Sequence, residues 1–434
     1  MKFIVQPGGK ISGRHRVPGD KSMSHRAIML GALAEGTTRV AGFLEGEDAL
    51  ATIAALRQMG VVIRGPHGGN VEVEGVGLHG LQSPEEALDM GNAGTGMRLL
   101  AGILAGQRFT SELVGDASLM KRPMGRVIEP LTRMGADVAS TDGGRPPLKI
   151  TASRGLTGIH YDLPMASAQV KSCTLLAGLY ATGRTSVSEP APTRDHTERM
   201  LRGFGYDVDT TDGVIALQGG GTLRGTSIDI PADISSATFF IVAACIAPHS
   251  DVLLEHVGIN PTRIGVINVL TLMGANIEVQ NQREVGGEPV ADLRVRYAPL
   301  RGVEIPQRDV PLAIDEFPAI FIAAACATGT TTLRGAEELR VKESDRIAAM
   351  AEGLSTLGIT ADPTPDGISI EGGVMGGGAI RTHHDHRIAM AFAIAGLRAG
   401  AAIEVLDCDH VATSFPGFAE LAVSAGLNIH VIAS

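Results

Sequence analysis

Six apolar, alanine-rich segments of the chain each end at a turn and are followed by a segment of alternating polarity. The first reads AIMLGALAEGTTRV and begins at Ala27, and the last reads IAMAFAIAGLRAGAAIEV and begins at Ile388. Long apolar runs rich in Ala, Leu and Ile predict buried helices, and alternation predicts a strand with one buried face. The pattern therefore predicts six buried helices, each leading into a strand.

A second feature repeats with the same period: a predicted helix that ends in Leu-x-x-x-Gly and is followed by a largely apolar segment. It is clearest in LRQMGVVI and weakest in the final copy, LAVSAGLNI. A glycine directly after a helical pattern suits the left-handed residue that closes a last turn. The six glycines recur 68 to 84 residues apart, at Gly60, Gly135, Gly205, Gly274, Gly358 and Gly426. Two markers with one period predict six copies of a unit made of a buried helix, a strand, an amphipathic helix and two strands.

Six such units predict an α/β fold, and 434 residues are enough for more than one domain. The last unit ends soon after Gly426, whereas residues 1–17 alternate like strands before the first unit. We therefore expect residues 1–17 to complete the sixth unit. The predicted division is three units in domain one, residues 18–230, and three in domain two, residues 1–17 with 231–434.

Composition narrows the classes of function. The net charge is −10, Trp is absent and aromatic residues make up 3%, which argues against a nucleic-acid-binding protein. The longest apolar run is far shorter than a membrane span, and the first residues show no cleavage signature. The four cysteines have no metal-ligand spacing and predict reduced core residues in a cytoplasmic protein: Cys173, Cys245, Cys326 and Cys408.

Polar residues collect just before each apolar helix, as in VPGDKSMSHRA at the first one. Ser, Asp and Asn at such positions are ordinary caps, and Asp233 with Ser235 fits that explanation. Caps do not explain the cations, because a positive charge at a helix N-terminus opposes the helix dipole. The cations become favourable if an anion binds there, which predicts phosphate or carboxylate sites at Lys21, Arg26, Lys171 and Arg387.

Further cations lie on loops that contain glycine or proline, including Lys121 and Arg122 in GDASLMKRPMG and Arg194 in SEPAPTRDHTE. In EELRVKESDRI, Lys342 and Arg346 are four residues apart and would share one helix face, with Glu343 nearby. A charge run of this kind is often only a solvated face. The alternative is a site that binds an anion and keeps an acid or base close to it.

Shorter motifs give weaker indications. GVGLHG matches a dinucleotide-binding pattern, but no apolar helix follows it, which favours a turn. The HHDH string at 383–386 suggests a metal, but no matching Cys or carboxylate cluster occurs elsewhere, and we predict no metal site.

Eight strings of the chain resemble the 5-enolpyruvylshikimate-3-phosphate synthases, in the same order and over nearly the whole length. They are PGDKSMSHRA, GNAGTGMR, GDASLMKRPM, PMASAQVKSCTLLAGL, TRDHTERML, IDEFP, ELRVKESDRI and DHRIAMAF. MASAQVKS and NAGTG resemble the subgroup called class II. The resemblance implies the enolpyruvyl transferase fold, a two-domain inside-out α/β barrel of six βαβαββ-type units that closes on its substrates.

The resemblance also implies the reaction. The 5-hydroxyl of shikimate 3-phosphate adds to C2 of phosphoenolpyruvate, and loss of phosphate then gives 5-enolpyruvylshikimate 3-phosphate on the route to aromatic amino acids. It implies no cofactor and no metal, two small-molecule substrates, a monomer without nucleic-acid or membrane partners, and a target of glyphosate. Domain one would be the shikimate 3-phosphate side and domain two the phosphoenolpyruvate side.

Positions that match the motifs of the family imply two sets of substrate-binding residues, one for each substrate. Shikimate 3-phosphate would contact Lys21, Ser22, Arg26, Ser167, Ala168, Gln169, Arg194, Asp315 and Lys342. Phosphoenolpyruvate would contact Lys21, Asn92, Gly94, Arg122, Gln169, Glu343, Arg346 and Arg387. Asp315 would be the general base on the 5-hydroxyl, and Glu343 and Lys21 are the candidates for proton transfer at C3.

Three positions depart from the common family pattern. Thr413 stands before SFP where many members have Lys, Ala168 stands where many have a second Ser, and Gly94 carries no side chain toward the expected enol site. Two alternatives stay open. A transferase acting on a UDP-amino sugar would need a Cys in GDASLMKRPMG, which has none. A non-catalytic phospho-sugar-binding protein would need the cations but not Asp315 and Glu343.

Overall fold

Two kinds of helix alternate along the chain. The computed structural model describes residues 1–433, and within them the odd-numbered α-helices are almost wholly buried, whereas the even-numbered ones have one exposed face. The helices are α1 (Lys21–Leu33), α2 (Glu47–Gln58), α3 (Gly94–Leu104), α4 (Gly125–Arg133), α5 (Ala168–Gly178), α6 (His196–Gly203), α7 (Ile234–Ile246), α8 (Gly265–Leu272), α9 (Phe317–Ala325), α10 (Arg346–Thr356), α11 (His386–Ala395) and α12 (Phe418–Ala425). The six buried helices predicted from the apolar runs are confirmed.

The predicted helix-ending glycines are confirmed as well. All six have a positive φ, between 78° at Gly205 and 117° at Gly426. A residue with a Cβ is strained in this region, so glycine lets each amphipathic helix reverse directly into its next strand. This recurring turn is the reason that the six copies can be recognised in the sequence.

The strands are short and follow the helices in a regular order. The first sixteen are β1 (Lys2–Gly9), β2 (Ser12–His15), β3 (Glu35–Ala41), β4 (Val62–His67), β5 (Asn70–Val76), β6 (Leu88–Asp89), β7 (Ser111–Val114), β8 (Val138–Thr141), β9 (Arg145–Ile150), β10 (Leu156–Thr157), β11 (His160–Asp162), β12 (Ala181–Thr182), β13 (Arg184–Ser188), β14 (Asp209–Thr211), β15 (Val214–Gln218) and β16 (Ser227–Asp229). The others are β17 (Asp251–Gly258), β18 (Asn276–Val285), β19 (Glu288–Arg296), β20 (Thr330–Leu333), β21 (Ala361–Thr364), β22 (Gly367–Glu371), β23 (Gly378–Arg381), β24 (Ile403–Leu406) and β25 (Leu427–Ile432).

The described residues form two units. The N-terminal unit contains Gly19–Ile230 and the hairpin tip Val285–Gly287, which the sequence-based division placed in the other domain. The C-terminal unit contains Met1–Pro18, Pro231–Glu284 and the chain from Glu288 onward. Each unit has its own apolar core, built around α1, α3 and α5 in the first and around α7, α9 and α11 in the second.

Three sheets of three or four strands belong to each unit. Their strand orders are β16-β3-β5-β4, β6-β7-β9-β8 and β11-β13-β15-β14 in the N-terminal unit, and β18-β19-β17-β2, β20-β22-β21 and β23-β24-β1-β25 in the C-terminal unit. Most combine one parallel pair with antiparallel pairs; for example, β3 pairs parallel to β16 and antiparallel to β5. The fold is α/β, as the repeats predict.

The first residues of the chain serve two sheets. Phe3 in β1 lies opposite Val405 on one side and Val431 on the other, so β1 completes the sheet of the sixth unit as predicted. The prediction is wrong for β2, which pairs parallel to β17 in the sheet of the fourth unit. Leu254 of β17, for instance, lies opposite His15. Residues 1–17 therefore close two sheets of the C-terminal unit rather than one.

Glycine also lets buried helices approach closely. A Cβ built on Gly102 in α3 would collide with the backbone carbonyl of Cys173 in α5, so only glycine fits at this crossing. This contact brings the two helices side by side in the N-terminal unit, with polar first turns that share hydrogen bonds.

The cysteines are free thiols in the core, as their spacing predicts. Burial raises the pKa of Cys245 to about 12, so this thiol does not ionise near neutral pH. No helix among the described residues has both the length and the apolar character that a membrane crossing requires.

Candidate active site

The first turn of α1 is capped and charged at once. The Asp20 carboxylate accepts a hydrogen bond from the backbone N–H of Met23 at 2.8 Å, which is an ordinary N-cap. The Lys21 ammonium lies 3.0 Å from the carboxylate of Asp48, the second residue of α2. Helix capping therefore explains Asp20 but not Lys21, which adds a cation to the first turn and pairs with Asp48.

Arg26 is held inside the N-terminal unit by neutral acceptors. It is 3% exposed, yet its guanidinium donates to the Thr197 hydroxyl at 2.7 Å, the Ser172 hydroxyl at 2.8 Å and the Ser22 carbonyl at 2.8 Å. These contacts join α1 to α5 and α6. Hydroxyl and carbonyl groups of this kind fix the orientation of a guanidinium.

His25 lies between these two cations and stays neutral. Burial, with the charges of Lys21 and Arg26, lowers the pKa of His25 to about 3. Its Nδ1 is 2.8 Å from the Thr52 hydroxyl. A third positive charge is therefore excluded from the first turns of α1.

Gln169 connects the first turns of α3 and α5. Its side-chain oxygen accepts from Arg98 at 2.7 Å, and its side-chain nitrogen donates to the Thr95 hydroxyl at 2.8 Å. Ser167 is the N-cap of α5, and Ala168 is the first helical residue. Three residues of the predicted shikimate 3-phosphate set thus share one helix start that is fixed against its neighbour.

A hydrogen bond holds Arg122 beside Asn92, just before the start of α3. It donates to the Asn92 side chain at 2.5 Å, and Asn92 in turn donates to Asp116 at 2.7 Å. A Cβ placed on Gly94 would lie 2.9 Å from Nη1 of Arg122 and 3.3 Å from Nη1 of Arg98. The missing side chain at Gly94 therefore leaves room for both guanidinium groups at the start of α3.

In the C-terminal unit the central cation is Arg346, which is 1% exposed and surrounded by carboxylates. It donates to Asp385 at 2.8 Å, to Glu343 at 2.5 Å and to Asp315 at 3.3 Å. Burial by itself would lower the pKa of Arg346, but the three carboxylates outweigh burial and raise it. The guanidinium is permanently charged and holds the predicted base, Asp315, beside the predicted proton carrier, Glu343.

Two more predicted residues join this group. The Lys342 ammonium is 3.8 Å from Asp315 and 3.6 Å from Glu338. Arg387 donates to the backbone carbonyl of Asp315 at 3.0 Å. The structure therefore brings all five predicted site residues of the C-terminal unit into one network.

The capping explanation is sufficient at α7. The Asp233 carboxylate accepts from the N–H of Ser235 at 2.8 Å and from the buried Arg263 at 3.0 Å. The Ser235 hydroxyl also bonds to the carboxylate of Glu316, the residue just before α9. These contacts tie two helix starts together.

Two positions read from the sequence have a different role in the structure. Lys171 was interpreted as an anion-binding cation, and this is wrong: it is 1% exposed and paired with Glu198 at 2.7 Å and Glu189 at 2.9 Å. Thr413, where the resemblance implies a Lys, is 4% exposed, and its hydroxyl donates to the His410 carbonyl. Arg194 lies on the loop between β13 and α6.

Several residues that hold the site together were missed. Arg98, Asp116, Ser172 and Thr197 contact predicted ligands from neighbouring elements, and nothing in their local sequence indicates this. Asp385 could have been found, because an acidic residue directly before an apolar helix predicts an N-cap. It accepts from the Arg387 N–H at 2.9 Å and is fully buried. Among residues 1–433, no group of three or more His, Cys, Asp or Glu side chains is placed to hold a metal ion.

Comparison with known proteins identifies the family of the chain. The family model described as EPSP synthase (3-phosphoshikimate 1-carboxyvinyltransferase) matches residues 5–421. The 3-phosphoshikimate 1-carboxyvinyltransferase of Alkalilimnicola ehrlichii is 66% identical over 428 residues, which cover 98% of this chain and 96% of that protein. The protein of the same name from Methylococcus capsulatus is 64% identical over 429 residues, covering 99% of this chain and 98% of that protein.

Solved structures give the same result. EPSP synthase from Acinetobacter baumannii superimposes with a TM-score of 0.90 at 58% identity, with all of both chains covered. The enolpyruvyl transferase NikO from Streptomyces tendae has a TM-score of 0.80 at 18% identity, covering 100% of this chain and 99% of that chain, and it shows the shared fold alone. With a matching family model and close relatives over its whole length, the chain belongs to the EPSP synthase (3-phosphoshikimate 1-carboxyvinyltransferase) family.

Proposed function

We propose that the chain transfers the enolpyruvyl group of phosphoenolpyruvate to the 5-hydroxyl of shikimate 3-phosphate, using the residues described above. This transfer is the reaction of the family to which the chain belongs. The observation that supports the residue assignment is the network around Arg346, in which the carboxylates of Asp315 and Glu343 both contact one buried cation.

The N-terminal unit supplies the proposed phosphate site for shikimate 3-phosphate. Arg26 is a buried cation oriented by hydroxyls of α5 and α6, and the capped start of α5 adds backbone N–H groups. A phosphate dianion gains both from the guanidinium and from the positive end of a helix. Each charge-assisted hydrogen bond contributes about 1.5–3 kcal/mol. We assign this site to Arg26, Lys21, Ser22, Ser167, Ala168, Gln169 and Arg194.

For phosphoenolpyruvate we assign the residues that the resemblance implies. They are Lys21, Asn92, Gly94, Arg122, Gln169, Glu343, Arg346 and Arg387. The enol substrate carries a carboxylate and a phosphate, and planar guanidinium groups bind such groups with two parallel hydrogen bonds.

Asp315 is the proposed general base. It would accept the proton of the 5-hydroxyl while the oxygen bonds to C2 of the enol and C3 takes up a proton. The resulting tetrahedral intermediate loses phosphate and a proton from C3, which restores the double bond in the product. Lys342, near Asp315, would orient the hydroxyls of the shikimate ring, and Glu343 or Lys21 would exchange the proton at C3.

Substitution of the proposed base tests this assignment. Asp315→Asn keeps the size of the side chain but cannot take a proton, so we expect turnover to fall about 10²–10⁴-fold. Shikimate 3-phosphate should still bind, within about threefold of the unaltered protein, because one ring contact is changed among many. Phosphate release and calorimetry measure the two quantities.

Glu338→Gln is the matched control, since it removes a carboxylate from Lys342 without changing Asp315. Turnover of Asp315→Asn close to that of this control would overturn the role of the base. An unaltered protein that released no phosphate from the two substrates would overturn the function itself.

We further infer a cytoplasmic monomer, since every assigned residue comes from one chain. If this is correct, sedimentation at the enzyme concentrations used for assay gives a single species of about 45 kDa. One chain has a mass of 45.1 kDa. A dimer at those concentrations would contradict it.

A further inference from the structure

Lys171 is a buried cation that the proposed reaction does not use. It lies on the first turn of α5, two residues after Gln169, and its side chain is 1% exposed. An ammonium group has three N–H donors. Three acceptors surround this one: Glu198 at 2.7 Å, Glu189 at 2.9 Å and the Thr193 carbonyl at 3.5 Å.

All three acceptors belong to one stretch of chain, the loop from the end of β13 to the first turn of α6. We refer to residues 189–198 as the anchored loop. Glu189 is its first residue, Thr193 lies at its middle, and Glu198 is its last residue. The Thr193 hydroxyl also bonds to the Glu189 carboxylate. One ammonium therefore holds the start, the middle and the end of the loop.

The composition of the loop explains why it needs such an anchor. Pro190 and Pro192 have no N–H group, so this part of the chain cannot form a regular ladder with a neighbouring strand. Fixation must then come from side chains. Two buried carboxylates would repel each other strongly without a cation between them, and Lys171 supplies it.

Arg194 directly follows the anchored carbonyl of Thr193. The adjacent residue on α5, Ser172, accepts from Arg26 at 2.8 Å and from Thr197 at 2.7 Å. The same turn of α5 therefore orients Arg26 through Ser172 and fixes the backbone beside Arg194 through Lys171. Both arginines belong to the proposed phosphate site.

We propose that Lys171 is a positioning residue that fixes the anchored loop, through Glu189, Thr193 and Glu198, so that Arg194 is presented to shikimate 3-phosphate. The ammonium does not contact the substrate, since three protein acceptors surround it and almost none of its surface is exposed. This inference rests on the proposed function for the identity of the ligand, but not for the anchoring itself.

A double-mutant cycle with Arg194 tests the positioning role. Calorimetry gives the dissociation constant of shikimate 3-phosphate for Lys171→Met, Arg194→Met and the double variant. We expect each single variant to weaken binding about tenfold or more, and the double variant to bind no more weakly than Arg194→Met. Independent, multiplied losses would overturn the inference, because Lys171 would then act on binding by another route.

Loss of Lys171 alone leaves two carboxylates buried together, so a charge-balanced variant is measured in parallel. Lys171→Met combined with Glu189→Gln and Glu198→Gln removes the anchor without leaving a net charge. If Lys171→Met does not fold, the cycle is completed with this variant, and the same two outcomes decide it. A purely structural role would lower the melting temperature but leave the dissociation constant unchanged.

Hydrogen–deuterium exchange of the free protein tests the anchoring without any substrate. We expect exchange in residues 189–198 to be about tenfold faster or more in the charge-balanced variant, with α5 and β13 little changed. Arg184→Met is the control, since it removes an exposed ion pair with Asp209 from the other end of β13. Equal exchange in the loop of all three proteins would overturn the anchor. If the unaltered protein does not bind shikimate 3-phosphate but exchange in the loop becomes faster in the charge-balanced variant as expected, only the proposed function is overturned.

Discussion

Arg26 and Arg346 are both arginines with almost no exposed surface, one in each unit, and they differ in the acceptors of their hydrogen bonds. Arg26 donates to two hydroxyls and a carbonyl. Arg346 donates to the carboxylates of Asp385, Glu343 and Asp315. The same side chain is thus oriented by uncharged groups in one unit and surrounded by carboxylates in the other.

The difference separates two ways of placing a buried cation. Hydroxyl and carbonyl acceptors fix the orientation of a guanidinium without adding negative charge. Carboxylates add negative charge around the guanidinium, and the guanidinium holds them close together. Loss of the cation should therefore affect the two units differently.

The largest effect should come from removing the cation among carboxylates. Arg346→Met leaves three carboxylates around one buried site, and we expect the free energy of unfolding to fall by about 3–5 kcal/mol. Urea unfolding of the purified protein measures it. Arg340→Met is the control, because Arg340 is partly exposed and pairs with Asp345 at the surface. A loss no larger than that of the control would show that Arg346 is not the counter-ion we describe.

Removing the cation among hydroxyls should change binding more than stability. Arg26→Met removes a cation of the proposed phosphate site, so we expect shikimate 3-phosphate to bind about 10–100-fold more weakly. The loss in the free energy of unfolding should be smaller than for Arg346→Met. Calorimetry and urea unfolding of the same preparation give both values. The reverse order of the two stability losses would break the comparison between the units.

The acid side of the stability profile reports on the cations of α1. The pKa of His25 is about 3 in the folded protein against a usual value of 6.5, so below pH 6.5 the unfolded chain binds a proton that the folded chain excludes. Stability from His25 is complete above pH 6.5 and decreases as the pH falls toward 3, by up to about 1.4 kcal/mol per pH unit.

His25→Asn, which cannot titrate, should flatten this part of the profile, as followed by urea unfolding at several pH values. His160→Asn, at an exposed position, is the control for the loss of a histidine. An unchanged slope in His25→Asn would show that burial and the neighbouring cations do not keep His25 neutral.

The smallest effect concerns the space beside Arg122. In Gly94→Ala the new methyl group would lie 2.9 Å from Nη1 of Arg122, so the guanidinium must shift. We expect the KM for phosphoenolpyruvate to rise about threefold, and phosphonate inhibitors larger than the substrate to be weakened further, because they need the same space. Steady-state kinetics with and without inhibitor measure both. Gly203→Ala is the control, because a Cβ at Gly203 would meet no atom within 4 Å. Gly91→Ala is unsuitable, because the positive φ of Gly91 would itself strain an alanine.

Much of the architecture could be predicted because it depends on local physics. Apolar runs such as that at Ala237 must be buried, and a glycine such as Gly135 is needed where a helix reverses in the left-handed region. The cations at helix starts could be recognised because they conflict with the helix dipole. The resemblance then supplied candidate roles for them that no local pattern contains.

Tertiary structure decided which side chains contact each of these cations. Lys171 and Arg26 look alike in the sequence, each near the start of an apolar helix, but Glu189 and Glu198 pack against Lys171 while Ser172 and Thr197 pack against Arg26. The charge around each cation depends on side chains that come from elements distant in the chain. By itself, the sequence determined the repeated units, the buried helices and the presence of cations at their starts. Only the fold decided which cation is neutralised, because Coulomb energy depends on distances between atoms and not on separation along the chain.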